Sequence, residues 1–260
     1  MGIKQTITKE QLPLQYQSFT LSETKDGTTH SVYLLDDEYV VKIVSDHEVD
    51  TLVNEQKLLS SLTPLAVPKL LDIVQKEEYA LAFYTQIKGD SIAHVKKEHI
   101  EQIALFLKKF HSFSKGFCSS NIKIYDKDYL EKLVLKTKDL QLKNYFNTLK
   151  CDLKNDGVIH GDLFWDNAKF QNDTLSGVYD FISACEGDFI FELAVVSVSW
   201  CFDGTILDDD KLDILLNSYG LDIEKEFFFE YIKYALLYYI TTRYLAKREY
   251  HDLLEKLERL

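Results

Sequence analysis

The stretch VIHGDLFWDNAKF, from Val158 to Phe170, decides how this chain of 260 residues is interpreted. It places one His, two Asp and one Asn between apolar residues that suit short buried strands. A polar loop between two strands would give this pattern, and so would a loop that carries catalytic side chains. The rest of the chain decides between these two interpretations.

The residues around this stretch fall into two regions of different periodicity. Four runs in the first ninety positions are rich in β-branched and aromatic residues, with a turn at TKDG that contains Gly27: SFTLSE, HSVYLL, EYVVKIV and YALAFYTQI. Apolar residues at helical spacing predict one helix among them, over residues 47–62. From Ser91 onward amphipathic helical patterns dominate, apart from an island of strand and loop over residues 158–182.

This organisation predicts an α+β fold with two lobes. We expect a small antiparallel β-rich lobe over residues 1–86 and a larger, mainly helical lobe over residues 87–260, joined by one connection near residues 85–91. A long helical pattern over residues 126–149 is expected to break near Lys138.

The composition excludes several classes of protein. A net charge of -12 argues against a nucleic-acid partner, because binding phosphates requires a basic surface. The longest apolar runs are too short to span a bilayer, and the first residues show no apolar core of a signal peptide, so we expect no membrane association. The four cysteines form no CxxC pair, which indicates reduced thiols and a cytoplasmic protein. The oligomeric state stays open.

Five polar residues stand in the order that phosphoryl transfer from a nucleotide requires. Lys42 lies within the apolar strand YVVKIV, where a lysine needs a partner, and Glu55 on the following helix is the expected partner. Asp162 and Asn167 form the pattern HGD-x4-N, and Asp180 ends the apolar run LSGVYDF. A lysine to bind phosphates, an aspartate to accept a hydroxyl proton, and an Asn–Asp pair to hold Mg²⁺ are the parts of such a site.

The same residues carry a resemblance to a known family. VIHGDLFWDNAKF followed by LSGVYDFISACEGDFIFELAV resembles the aminoglycoside phosphotransferase/choline kinase superfamily, a branch of the protein-kinase-like fold. The longer pattern through Trp200-Cys201 is most similar to the type II homoserine kinases. The resemblance implies a protein-kinase-like fold, ATP or GTP with Mg²⁺ as cofactors, and a small-molecule hydroxyl as phosphoryl acceptor.

The resemblance also implies roles for individual residues. Asp162 would be the catalytic residue, Asn167 and Asp180 would bind the metal, and Lys42, held by Glu55, would bind the α- and β-phosphates. Backbone groups of the connecting strand would bind the adenine edge: Phe83, Tyr84, Thr85 and Gln86. Four charged residues would contact the ammonium and carboxylate groups of the acceptor: Glu186, Asp188, Asp203 and Arg243.

Four features depart from the family pattern. Trp165 replaces the usual Pro of the loop, Glu192 replaces an Asp at the start of a helix, and Ser199 replaces an Asp before Trp-Cys. The segment LSETKDGTTHSVYLL has only one glycine, so few backbone amides would surround the phosphates. These departures affect the predicted identity of the acceptor and the predicted binding of the nucleotide phosphates. They do not affect the predicted reaction, because the catalytic groups are present.

Alternatives to a homoserine kinase remain at this stage. The acceptor could be an aminoglycoside, choline or ethanolamine, all of which carry a hydroxyl and a cationic group. A catalytically silent nucleotide-binding module is disfavoured because every phosphoryl-transfer group is present. A protein kinase is disfavoured because no DFG–APE segment follows Asp180.

Overall fold

A computed structural model describes residues 4–24, 30–117, 119, 121 and 123–260. Gly27 and its turn, and Cys118, lie outside the described residues. The chain divides into two compact units, one of Met1–Lys88 with Gly177–Ile182 and one of Gly89–Ser176 with Ser183–Leu260. No helix in the described ranges has the length and apolar character needed to cross a membrane.

The first unit is built on an antiparallel sheet of five strands in the order β1-β2-β3-β5-β4. These strands are β1 (Leu21–Glu23), β2 (Ser31–Leu35), β3 (Tyr39–Ser45), β4 (Leu70–Gln75) and β5 (Tyr79–Thr85). Helix α1 (Val49–Ser61) connects β3 to β4. The expected strands are confirmed, but β4 was missing from the expectation because LLDIVQ shows no period-2 alternation of apolar and polar residues.

The core of this unit lies where the N-terminal segment covers the sheet. Tyr16 stacks on Phe83 with ring centroids 4.1 Å apart, and Ile7 and Leu12 are buried beside them. Strands β3 and β5 are central and carry aliphatic and aromatic residues whose side chains are almost fully buried. Lys42, in the middle of β3, is therefore in a largely apolar environment.

The second unit is mainly helical. Its helices are α2 (Lys97–Ser114), α3 (Lys127–Thr137), α4 (Leu140–Thr148), α5 (Phe189–Trp200), α6 (Asp209–Tyr219), α7 (Lys225–Leu245) and α8 (His251–Arg259). The predicted break is confirmed, since Lys138 has φ +58° and Asp139 caps α4. Helices α5 and α7 pack against each other and form the centre of the core, which explains why their sequences are mainly apolar.

Six further short strands among the described residues position the polar residues of interest. They are β6 (Gly157–Ile159), β7 (Ala168–Gln171), β8 (Thr174–Val178), β9 (Cys185–Gly187), β10 (Phe202–Asp203) and β11 (Ile206–Leu207). They pair as β6 with β9, β7 with β8 and β10 with β11. The loop between β6 and β7 carries Asp162 and Asn167, and Asp180 follows β8.

Cysteines 151, 185 and 201 are buried and form no disulfide among the described residues. Burial raises the pKa of the Cys151 and Cys185 thiols to about 12. These thiols stay protonated at neutral pH, so they are poor nucleophiles.

Candidate active site

The loop over residues 160–167, here called the HGD loop, depends on a glycine at its second position. Gly161 has φ +77°, a conformation that glycine adopts without strain. A Cβ atom at this position would overlap the ring of Tyr125. The structure therefore explains why glycine separates His160 from Asp162.

Helix α5 holds the backbone of the HGD loop at three points. Glu192 accepts a hydrogen bond from the Gly161 amide at 2.7 Å, and the indole N–H of Trp200 donates to the Leu163 carbonyl at 3.0 Å. Ser199 Oγ accepts the Trp165 amide at 3.0 Å. The Trp165 amide, which a proline at this position would lack, thus has its acceptor in Ser199.

Glu192 is itself held by a buried chain of hydrogen bonds. Its second oxygen lies 2.6 Å from His111 Nε2, and His111 Nδ1 lies 2.8 Å from the Tyr219 hydroxyl. The imidazole stacks on Phe189 with ring centroids 3.9 Å apart. Glu192 and His111 are almost inaccessible to solvent, so their polar partners must come from within the protein.

The sequence interpretation missed this support. A lone carboxylate in FIFELAVVSVSW was a usable signal, because a charge in a buried helix requires a partner. Its partner His111, and Tyr219 behind that histidine, had no signal of their own in the sequence.

Hydrogen bonds inside the HGD loop gather around Asp162. His160 Nδ1 accepts the Asp162 amide at 3.2 Å, and His160 is fully buried, which suits a bracing role rather than that of a base. The Asp162 carbonyl accepts the Phe164 amide at 2.8 Å and the side-chain amide of Asn167 at 2.7 Å. Asp162 and Asn167 are thus brought together, and both side chains are partly exposed.

Tyr239, from α7, is the second support of the loop. Its hydroxyl donates to the Gly161 carbonyl, and it also bonds to the Asp162 side chain. Burial, and then the negative charge of Asp162, raise the pKa of Tyr239 well above its usual range. The phenol therefore keeps its proton and remains a hydrogen-bond donor.

In the first unit, Lys42 pairs with Asp180. The Lys42 ammonium lies 2.7 Å from Asp180 Oδ1. Burial lowers the pKa of Lys42, but the negative charges of Asp180 and Glu55 outweigh burial and raise this pKa overall. The expectation that Glu55 is the direct partner of Lys42 is wrong for this structure, because Asp180 takes the ammonium and Glu55 has donors of its own.

Those donors are the Tyr84 hydroxyl, 2.8 Å from Glu55 Oε2, and the backbone amide of Phe181. Burial raises the pKa of Glu55 to about 7, against the lowering effect of the Lys42 charge. Glu55 thus acts on Lys42 through charge rather than through contact. The sequence prediction for Tyr84 concerns its backbone, whereas the structure adds this hydrogen bond from its side chain.

The backbone at Asp180 has an unusual conformation. Asp180 has φ +68°, in the left-handed region that non-glycine residues adopt at a cost of about 1 kcal/mol or more. The strand before it is fixed by the Val178 amide, which donates to the Ala66 carbonyl at 2.9 Å. Such outliers concentrate at functional sites.

The segment expected to bind the base lies within β5 and just after it. The amide of Thr85 donates to the Lys69 carbonyl at 3.0 Å, and that of Gln86 to the Glu38 carbonyl at 2.9 Å. These two N–H groups are therefore already used, while Phe83 and Tyr84 are buried between β3 and β4. Gln86 Oε1 is a buried acceptor without a partner among the residues described here.

The four charged residues expected at the acceptor have different surroundings. Asp188 is buried and caps α5, and its carboxylate already accepts the amides of Ile190, Phe191 and Lys154. Its place before a helix was a readable capping signal. Glu186 pairs with Lys123 at 3.0 Å.

Asp203 and Arg243 are both accessible to some degree. Asp203 is exposed in the β10–β11 hairpin. Arg243 lies 3.7 Å from Asp252, with its side chain 32% exposed, so a ligand carboxylate would compete with Asp252 for the guanidinium group.

The donor chemistry fits a magnesium ion. Asn167 in the second unit and Asp180 in the first each carry an oxygen of the kind that Mg²⁺ prefers, and this ion usually takes only one or two protein ligands beside phosphates and water. Within the described part of the chain, His, Cys, Asp and Glu form no group of three or more that could hold a metal by themselves.

Comparison with known proteins identifies the family. The profile of the phosphotransferase enzyme family (APH) matches residues 20–224, which is most of the chain. The chain belongs to this phosphotransferase family.

Curated relatives agree with this assignment. A homoserine kinase of Methylobacillus flagellatus is 24% identical over 252 residues, covering 84% of this chain and 77% of the relative. A homoserine kinase of Bartonella tribocorum is 30% identical over 135 residues, and this match spans 47% of the chain and 42% of that relative's length.

Solved structures confirm the fold. The GDP complex of aminoglycoside 2'-phosphotransferase-IIIa superimposes with a TM-score of 0.68 at 16% identity, covering 92% of this chain and 91% of the other. Aminoglycoside phosphotransferase APH(3'')-Id from Streptomyces rimosus, in complex with ADP and streptomycin, superimposes with a TM-score of 0.64 at 16% identity. This match covers 84% of this chain and 92% of the other. The predicted α+β, protein-kinase-like fold is confirmed.

Proposed function

We propose that this protein transfers the γ-phosphoryl group of ATP or GTP to a hydroxyl of a small amine-bearing molecule, with homoserine as the first candidate. The observation that carries the proposal is the HGD loop. Its backbone is held by Glu192, Ser199, Trp200 and Tyr239, while the Asp162 side chain stays partly exposed. A functional carboxylate on a rigid support is what catalysis by positioning requires.

Asp162 is the proposed catalytic residue. The acceptor oxygen forms a bond to the γ-phosphorus, and the bond from that phosphorus to the β–γ bridging oxygen breaks, releasing the nucleoside diphosphate. The hydroxyl proton passes to the Asp162 carboxylate. The Tyr239 hydroxyl and the Asp162 backbone contacts hold this carboxylate in place during the transfer.

Lys42, Asn167 and Asp180 are the proposed ligands of the nucleotide and its metal. The Lys42 ammonium would bind phosphate oxygens in exchange for part of its contact with Asp180. Asn167 and Asp180 would hold Mg²⁺, which when bound neutralises charge on the β- and γ-phosphates. The unpartnered Gln86 Oε1 gives the adjoining segment one acceptor for a base amino group.

The choice of homoserine rests on the curated relatives, while aminoglycosides are favoured by the solved structures. Both kinds of acceptor carry amine groups, which suits the exposed Asp203 and the partly exposed Glu186. Homoserine also carries a carboxylate, for which Arg243 remains the proposed ligand, at the expense of its contact with Asp252.

The experiment is Mg²⁺-dependent release of ADP from ATP with L-homoserine, ethanolamine, choline and kanamycin as separate acceptors. Product phosphate on the acceptor is measured in the same samples, and a reaction without acceptor gives the background. We expect saturable turnover on homoserine. Turnover on kanamycin alone would keep the reaction and replace the substrate, whereas nucleotide binding without turnover on any acceptor would indicate a silent module.

A further inference from the structure

Trp165 is an exposed aromatic residue within the HGD loop. Its side chain is 40% exposed, and within the part of the chain that is described its indole ring makes no hydrogen bond or ring contact. The other tryptophan of the chain, Trp200, is fully buried and donates its indole N–H to the loop. An indole that is 40% exposed leaves apolar surface in contact with water, and this surface could bind a partner.

The backbone of Trp165 is tied closely to Asp162. The two Cα atoms are three virtual bonds apart, so they lie within about 11 Å of each other. The Phe164 amide bonds to the Asp162 carbonyl, and the Asn167 amide bonds to the Phe164 carbonyl, which closes this stretch into tight turns. Ser199 fixes the Trp165 amide. The indole is thus attached to the same rigid loop as the carboxylate.

We propose that Trp165 is a specificity-determining residue whose indole face binds the cationic, amine-bearing end of the acceptor. This inference rests on the proposed function. A tryptophan ring is the best of the aromatic side chains for attracting an ammonium group, and the attraction grows when the pair is shielded from water. The exposed carboxylate of Asp203 adds negative charge to the same unit.

The first test compares Trp165→Leu and Trp165→Phe with the wild type, using L-homoserine and its deaminated analogue 4-hydroxybutyrate. We expect Trp165→Leu to raise the KM for homoserine by about 3- to 30-fold, with Trp165→Phe in between. The KM for ATP should stay within about twofold, because the indole is not proposed to touch the nucleotide. The preference for homoserine over 4-hydroxybutyrate should fall by the same factor.

If Trp165→Leu raised the KM for homoserine and the KM for 4-hydroxybutyrate by the same factor, the proposed contact with the ammonium group would be overturned. An unchanged homoserine KM in Trp165→Leu, with wild-type turnover intact, would overturn the inference and leave the proposed function standing. Thermal unfolding of both variants checks that the fold is kept, which the exposure of the ring leads us to expect.

A second measurement needs no turnover. The emission of the exposed Trp165 should change when homoserine, ethanolamine or kanamycin is titrated without nucleotide, and Trp165→Phe should lose this change because only the buried Trp200 remains. A fluorescence response without phosphorylation would show that the indole binds the amine, and would overturn both the proposed function and the role of Trp165 in choosing an acceptor. No response and no turnover with any of these acceptors would overturn both.

Discussion

The Lys42 ammonium and the Asp180 carboxylate form an ion pair of 2.7 Å between residues that are far apart in the sequence. The Lys42 side chain is only 10% exposed and that of Asp180 is 36% exposed, so the pair is shielded mainly on the lysine side. A triphosphate would compete with Asp180 for the ammonium, and Mg²⁺ would take over part of the Asp180 charge. The pair therefore keeps both groups compensated before the nucleotide binds.

The first prediction concerns this lysine. Lys42→Met should lower turnover by about 100-fold or more, because one cation that stabilises the transferring phosphoryl group is lost. The KM for ATP should rise as well. Steady-state kinetics over a range of ATP concentrations measure both effects. Lys57→Met is the matched control, since Lys57 is exposed on α1, and a comparable loss there would contradict the assigned role.

The second prediction concerns the pH dependence of stability through Glu55. Its pKa is about 7 in the folded protein, against an ordinary value of 4.5, so the folded state holds the proton more tightly than the unfolded state does. Stability should therefore fall as the pH rises from about 4.5 to 7, by up to about 3 kcal/mol from this group. Glu55→Gln should remove this loss.

Urea unfolding of wild type and Glu55→Gln at pH 5 and pH 8 measures the difference, with exposed Glu78→Gln as control. Tyr84→Phe removes a donor to the carboxylate, so it should destabilise the protein more at pH 8 than at pH 5. An equal effect of Tyr84→Phe at both pH values would contradict the proposed ionisation of Glu55.

The third prediction separates backbone strain from steric overlap at Gly161. Gly161 and Gly204 both have positive φ, +77° and +59°, so alanine strains the backbone at each. Only at Gly161 would the new Cβ meet another group, the Tyr125 ring, whereas the space around Gly204 is open. Gly204→Ala should cost about 1 kcal/mol of unfolding free energy, and Gly161→Ala several times more.

Chemical denaturation of the two variants gives the comparison, and turnover should fall only in Gly161→Ala. Partial recovery in the double variant Gly161→Ala with Tyr125→Ala would identify the ring as the cause. If Gly161→Ala and Gly204→Ala lowered the unfolding free energy equally, the overlap between the new Cβ and the Tyr125 ring would have been relieved without cost.

The fourth prediction concerns the chain of hydrogen bonds behind the HGD loop. His111→Phe removes the donor to Glu192 and leaves a buried carboxylate with fewer partners, which should cost about 3 kcal/mol of unfolding free energy. Turnover should fall because Glu192 also holds the Gly161 amide. His47→Phe, at a side chain that is 90% exposed, is the control and should change neither quantity appreciably.

Candidate residues could be chosen from the sequence where their chemistry shows in the local pattern. Asp162, Asn167 and the strand-terminal Asp180 could be named from order and spacing, and the helix break at Lys138 from the charge-rich interruption of a periodic pattern. The strand β4 was not predicted, because its own sequence does not alternate between apolar and polar residues. It is a strand through its pairing with β5.

Contacts across the fold could not be predicted in the same way. Glu55 is near in sequence and was the natural partner for Lys42, but pairing with Asp180 depends on how β8 leads into a strained turn. The hydrogen bond between His111 and Glu192 joins α2 to α5. Neither the periodicity nor the spacing of residues in the sequence predicts that these two side chains meet. Asp188 was assigned to the substrate although a carboxylate just before a helix more often caps it.

The most direct test of phosphoryl transfer by the HGD loop is the turnover of Asp162→Asn. Its ADP release and phosphorylated acceptor are measured with saturating ATP, Mg²⁺ and the best acceptor, beside Asp166→Asn, an exposed carboxylate of the same loop. We predict that Asp162→Asn lowers kcat by about 100- to 10,000-fold with little change in ATP affinity, while Asp166→Asn stays close to wild type. A folded Asp162→Asn protein with near-normal turnover would contradict the account.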